Sequence, residues 1–165
     1  MSLVPADREE YGPAPFRLPF ECGTDGPRVV MVGIDGSDAG ARAAAYASGL
    51  ARRQGARLVV VFVAVPSLWI AVANPALVLA QEETFRELTA EARRQVRRGA
   101  DELGLSVTFV CRRGDPCTQL GRVADKVRAD LVVVGADGGR WRRWLPGSMV
   151  NRLVRAARWP VVVVP

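Results

Sequence analysis

Five short runs, RVVMVGI (28 to 34), RLVVVFVAV (57 to 65), LSVTFVCRR (105 to 113), DLVVVG (130 to 135) and VVVV (161 to 164), recur along the chain, and each interval between them has room for a helix. The runs are β-branched and nearly continuously apolar, as strands buried on both faces are. Parallel neighbours need crossover connections, so the alternation predicts an α/β fold with a five-stranded, parallel, doubly wound sheet in three layers, α/β/α.

The intervals supply the helices. ARAAAYASGLARRQ follows Ser37 and ends at Gly55, and its small residues let it lie close to a sheet. Phe85, Leu88, Ala92, Val96, Ala100 and Leu103 recur at helical spacing up to Gly104. Asp115-Pro116 reads as an N-cap followed by a first-turn proline, opening a helix with Leu120, Val123, Ala124 and Val127 on one face. Val150, Leu153, Val154 and Ala157 mark a last helix, stopped by Trp159-Pro160.

Composition narrows the functional classes. The 165 residues, 49% apolar, suit one domain with a real core, read here as residues 28–165 behind an extended, proline-containing arm, 1–27. Lys126 is the only lysine among 23 basic residues, and the net charge is +6. The arginines are scattered over several helices, so nucleic acid is not indicated. The chain has no histidine, which excludes triads built on it. Cys22, Cys111 and Cys117 have no CxxC spacing and read as free thiols in a reducing cytosol, with no metal site. The arm lacks the basic start and apolar core of a secretory signal. Residues 58 to 80 are uncharged over a membrane-spanning length, but Pro66, Asn74 and Pro75 interrupt them. They read as a strand followed by an apolar loop, 66–77, that covers the sheet or meets a partner.

In a doubly wound sheet, ligands sit outside the carboxyl ends of the strands, where the winding reverses. Two loops at that edge carry glycine: IDGS after the first core strand, and GADGGRWRRWLPGS (135 to 148) after the fourth. An order 3-2-1-4-5 places both on one crevice. Gly135 and Gly138 allow close backbone approach to a phosphate, and Gly147-Ser148 open a helix whose free N–H groups favour an anion. The alternative is that the glycines form a tight turn and Ser148 only caps a helix.

VGIDGS (32 to 37), the Gly-Asp-Pro helix start (114 to 116), ADLVVVG (129 to 135) and GS…WPVVVVP (147 to 165) resemble the universal stress protein domain over residues 28 to 165. The resemblance implies a Rossmann-like nucleotide-binding fold of order 3-2-1-4-5 and a homodimer, and the unpaired edge of the terminal strand, VVVV (161 to 164), places the C-terminal strand in its interface. It also implies an adenine nucleotide, ATP, ADP or AMP or a cyclic relative, and the Asp137 carboxylate beside the phosphate path would help hold a Mg ion with it. The ligand would lie against Ile34, Asp35, Gly36, Val63, Gly135, Asp137, Gly138, Arg140, Gly147, Ser148 and Met149. Asp35 would bond the ribose or adenine side, while Ile34, Val63 and Met149 would touch base or sugar. The family's ATP-binding signature has nine residues between its second and third glycines. Here eight separate Gly138 from Gly147, and Asp137 stands where a basic or neutral polar residue is usual.

Two functions follow as expectations. One is a small cytoplasmic stress-response regulator that binds nucleotide without dedicated turnover and without a membrane. The other is a ligand-free dimerisation module of the same fold. An ATP-hydrolysing enzyme is weaker, because GxxxxGK[ST] is absent and no lysine or histidine is placed for phosphoryl chemistry; weak hydrolysis stays open.

Overall fold

The valine runs form one sheet in a computed structural model that describes residues 8–12, 26–65, 75–136 and 148–165. Its strands are β1 (Arg8–Tyr11), β2 (Val29–Ile34), β3 (Arg57–Ala64), β4 (Val107–Arg113), β5 (Leu131–Gly135) and β6 (Val161–Val164), in the spatial order β1-β4-β3-β2-β5-β6. The β4-β3-β2-β5-β6 pairs are parallel, with Val32 opposite Val60 and Val133.

The wholly parallel, five-stranded sheet expected from the sequence is therefore corrected to six strands. Part of the arm, Arg8–Tyr11, pairs antiparallel with β4, Glu9 opposite Phe109 and Tyr11 opposite Val107. It occupies backbone groups that a bare β4 edge would leave unpaired. Two contacts to a helix hold it: Glu9 accepts a 2.6 Å ion pair from Arg93, and Arg97 lies over the Tyr11 ring at 5.9 Å. A four-residue strand with two acids carries no periodic apolar signal, so its partner, not its propensity, makes it a strand.

The helices are α1 (Asp38–Gln54), α2 (Pro75–Leu103), α3 (Pro116–Val127) and α4 (Met149–Ala156). Side-chain alternation along the strands divides the core in two. Val30, Val32, Val60, Phe62 and Phe109 pack with Ala43, Ala47 and Ala51 of α1 and Ala100 of α2. On the other face, Met31, Val59, Val61 and Val134 pack with Leu120 and Val123 of α3 and Leu153 of α4.

The apolar loop expected over 66–77 is corrected at its end. Pro75 opens α2, where a missing N–H costs nothing, and the helix carries Leu77, Val78 and Leu79 exposed. Residues 66–74, including all of SLWIAV (67 to 72), lie outside the described residues. Among the described residues, no helix is long and apolar enough to cross a membrane.

Candidate functional site

The winding reverses between β2 and β5. They are neighbours, and the chain leaves β2 into α1 on one face and approaches α4 on the other. Beyond their carboxyl ends lies a crevice of about 330 Å3. Its walls come from four places: Ile34 and Asp35 at the end of β2, Val63 and Val65 at the end of β3, Pro116 and Leu120 of α3, and Gly135, Ser148 and Met149 on the β5–α4 side.

The Asp35 wall is shaped by local hydrogen bonds. Gly36 takes φ 86°, a left-handed value glycine adopts without a Cβ penalty, and so turns the chain into α1. The Ser37 amide donates to Asp35 Oδ1 at 3.0 Å, and Ser37 Oγ accepts from the Gly40 amide at 3.1 Å, capping the helix. A Cβ at Gly40 would stand 3.0 Å from Asp35 Oδ1 and 3.4 Å from Ser37 Oγ, so glycine leaves these two side chains their positions. Asp35 thus accepts from the Ser37 amide through Oδ1 and lines the crevice.

On the facing side α4 begins at Ser148, whose Oγ accepts from the Asn151 amide at 3.1 Å. The first amides of this helix give the rim a partial positive charge. The start of α3 stands next to it. Asp115 caps α3 through the Thr118 amide at 2.9 Å, and Pro116 fills the first position. The same carboxylate receives both terminal nitrogens of Arg152, at 2.6 and 2.9 Å, so α3 and α4 are joined by a bidentate ion pair. The Arg152 guanidinium, with Thr118 adding to it, holds the Asp115 carboxyl well below the usual carboxylate range. Burial pushes the neighbouring Cys117 thiol up.

Of the residues expected to form the site, Ile34, Asp35, Val63, Gly135, Ser148 and Met149 line the one crevice. Gly36 does not line it; it faces a second groove of about 320 Å3 between α1 and α2. Asp137, Gly138, Arg140 and Gly147 lie outside the described residues, as do the tryptophans and other arginines of that loop. Gly135 has a packing reason of its own: a Cβ there would sit 2.3 Å from the Ala39 carbonyl oxygen, so glycine lets α1 close on β5. Gly40, Pro116, Leu120 and Val65 belong to the walls but were not singled out for it from sequence. The Gly-Asp-Pro start was the signal that could have placed Pro116 there. Among the described residues, no group of three or more Cys, Asp or Glu side chains could hold a metal ion.

A sequence profile of the universal stress protein family matches residues 27–165. The chain belongs to the universal stress protein family. A universal stress protein of Methanocaldococcus jannaschii is 29% identical over 136 residues, covering 82% of this chain and 80% of the relative. Among solved structures, a universal stress protein family member from Burkholderia pseudomallei is 28% identical with a TM-score of 0.59, covering 84% of this chain and 96% of that one. A universal stress protein solved in complex with cAMP is 26% identical with a TM-score of 0.60, covering 84% and 97%. In this universal stress protein the matched region starts just before β2, and β1 lies ahead of it.

Proposed function

We propose that this universal stress protein binds an adenine nucleotide in the crevice between the β2 and β5 loops and acts as a cytoplasmic stress-response regulator without dedicated turnover. The carrying observation is the convergence on one 330 Å3 crevice of the Asp35 turn and the capped start of α4, with Val63, Leu120 and Met149 between them. That volume falls within the range of about 300–1,000 Å3 usual for small-molecule sites. The arrangement suits a ligand with three parts. A carboxylate oxygen of Asp35 accepts from ribose hydroxyls, the apolar middle takes the base, and the α4 amides with Ser148 receive phosphate. The related structure in complex with cAMP supports the same ligand class. Gly138, Arg140 and Gly147 would complete the phosphate end, and Asp137 is placed in sequence to share a Mg ion.

Mass spectrometry of the purified, denatured protein, followed by calorimetric titration with AMP, ADP, ATP and cAMP, tests the reading. Co-purified adenine nucleotide, or saturable one-to-one binding of at least one of the four that Asp35→Ala weakens at least ten-fold, is the expected result. Failure of all four to bind overturns it.

The same protein is proposed to work as a homodimer through β6. Val161 to Val164 are half-buried, and among the described residues this strand pairs only with β5, so its outer edge offers backbone and apolar groups to a second copy. Light scattering at micromolar concentration should give twice the chain mass; a monomer sinks the dimer without touching the nucleotide reading. A dimer with an empty crevice is the result that favours the ligand-free interaction module.

A further inference from the structure

We infer that the Asp115–Arg152 pair is a positioning device for the phosphate end of the crevice: it fixes where the α4 amides point and contacts no ligand itself. This rests on the nucleotide reading above.

The observation is a short helix with one deep anchor. α4 has eight residues, and Leu153 alone among them is fully buried. A helix of two turns is marginal by itself and takes its position from what it packs against. Its second firm attachment is Arg152, one turn after the Ser148 cap, whose guanidinium meets Asp115 with both terminal nitrogens. A bidentate fork fixes orientation as well as distance, which a lysine cannot do.

Asp115 is itself tied to α3. It is the N-cap of α3, and it also accepts from the Thr118 hydroxyl at 2.6 Å. Next to it, Pro116 lines the crevice, while Ser148 and Met149 line it from the α4 side. The pair therefore ties together two walls of the crevice just behind their lining residues. A phosphate held by backbone amides depends on their direction to within a few tenths of an ångström, so loosening α4 should weaken phosphate recognition and leave base and ribose contacts alone.

The opposite assignment makes an opposite forecast. Were Arg152 a phosphate ligand kept in reserve by Asp115, releasing it would strengthen phosphate binding. Asp115→Asn is suited to tell them apart, because asparagine caps a helix as well as aspartate while the ion pair is lost. Arg152→Gln removes the other partner, and Arg152→Lys keeps the charge without the fork.

The experiment titrates adenosine and AMP into the wild type, the three single variants and the Asp115→Asn/Arg152→Gln double variant. The expected result has three parts. Asp115→Asn and Arg152→Gln each lower AMP affinity five- to twenty-fold with adenosine affinity within two-fold. The double variant is no worse than either single one. Arg152→Lys recovers only part of the loss. A merely structural pair would lower the thermal midpoint or weaken both ligands equally, and an unchanged AMP-to-adenosine ratio overturns the inference. So does tighter AMP binding by Asp115→Asn. Wild-type protein that binds neither compound overturns the inference, and if ADP, ATP and cAMP also fail to bind it overturns the nucleotide reading as well, an outcome distinct from wild-type binding with an unaltered ratio in the variants.

Discussion

Gly135, the last residue of β5, meets the first turn of α1 so closely that a Cβ would stand 2.3 Å from the carbonyl oxygen of Ala39 and 2.9 Å from the Gly40 amide nitrogen. Both obstacles are backbone, and neither can swing aside as a side chain could. Gly135→Ala should therefore push α1 from the sheet, at a cost of about 1–3 kcal/mol, the usual penalty of overpacking. Thermal unfolding without any ligand checks this: the midpoint should fall by several degrees, and an unchanged midpoint means that α1 yields freely at its start.

Ser148 separates capping from phosphate recognition. Its hydroxyl accepts from the Asn151 amide at 3.1 Å, and loss of such a cap costs about 1 kcal/mol. Ser148→Ala should lower stability by that amount. Ser148→Asp keeps a capping oxygen and should melt like the wild type, yet it puts a negative charge where an anion is proposed to sit. AMP affinity should then drop at least ten-fold by calorimetry. Undiminished binding in Ser148→Asp would place the phosphate elsewhere.

Tyr11 should report the attachment of β1. Burial comes first among the causes that raise its phenol to about 12; the hydrogen bond to Glu9 and that residue's charge add to it, against the lowering effect of Arg93 and Arg97. The unfolded chain releases the corresponding proton near 10. The folded form thus holds more protons between these values, and stability falls as pH rises from about 10 to about 12, being fully present below. In a Tyr46→Phe background the phenolate absorbance at about 295 nm follows Tyr11 alone. A midpoint at an ordinary tyrosine value would show β1 detached in solution.

Much of the architecture was legible because the strands are covered on both faces. Burial of that kind writes continuous valine runs, and Ser37, Gly55 and Asp115-Pro116 mark helix ends by local hydrogen bonding that needs no tertiary context. β1 was not legible, since Glu9 and Tyr11 gain their places from Arg93 and Arg97, more than eighty residues away. The start of α2 was missed for a related reason. Leu77, Val78 and Leu79 are consecutive apolar residues, which have no helical period to read. At the crevice, Ile34, Asp35 and Ser148 could be named from glycine spacing and the family resemblance. Gly40 and Leu120 could not, because each matters through a contact across elements: Gly40 against Asp35, and Leu120 against Gly33, where a Cβ would lie 3.0 Å from its methyl carbons. The Asp115–Arg152 pair spans 37 residues and has the same character.

The number of phosphates preferred should follow from two features of the glycine loop read in the sequence, the eight-residue spacing between Gly138 and Gly147 and the carboxylate of Asp137. A shorter loop has less reach around a long phosphate chain, and a carboxylate beside it repels each added charge. The arginines of the loop, were they to reach the phosphates, would offset this only in part. A partly solvated charge pair contributes roughly 1 kcal/mol or less, so the effect on affinity is several-fold and not all-or-none. Without divalent metal, the protein should bind AMP or ADP at least as well as ATP. Magnesium should improve ATP selectively, because a carboxylate oxygen and phosphate oxygens together make the hard-oxygen set that this cation takes. Asp137→Asn should then raise metal-free ATP affinity several-fold and flatten the response to magnesium. Calorimetric titration of the three nucleotides in EDTA and in magnesium decides the matter. A strong metal-free preference of the wild type for ATP, or indifference to the substitution, would mean that Asp137 faces away from the ligand and that the shortened loop still surrounds a triphosphate.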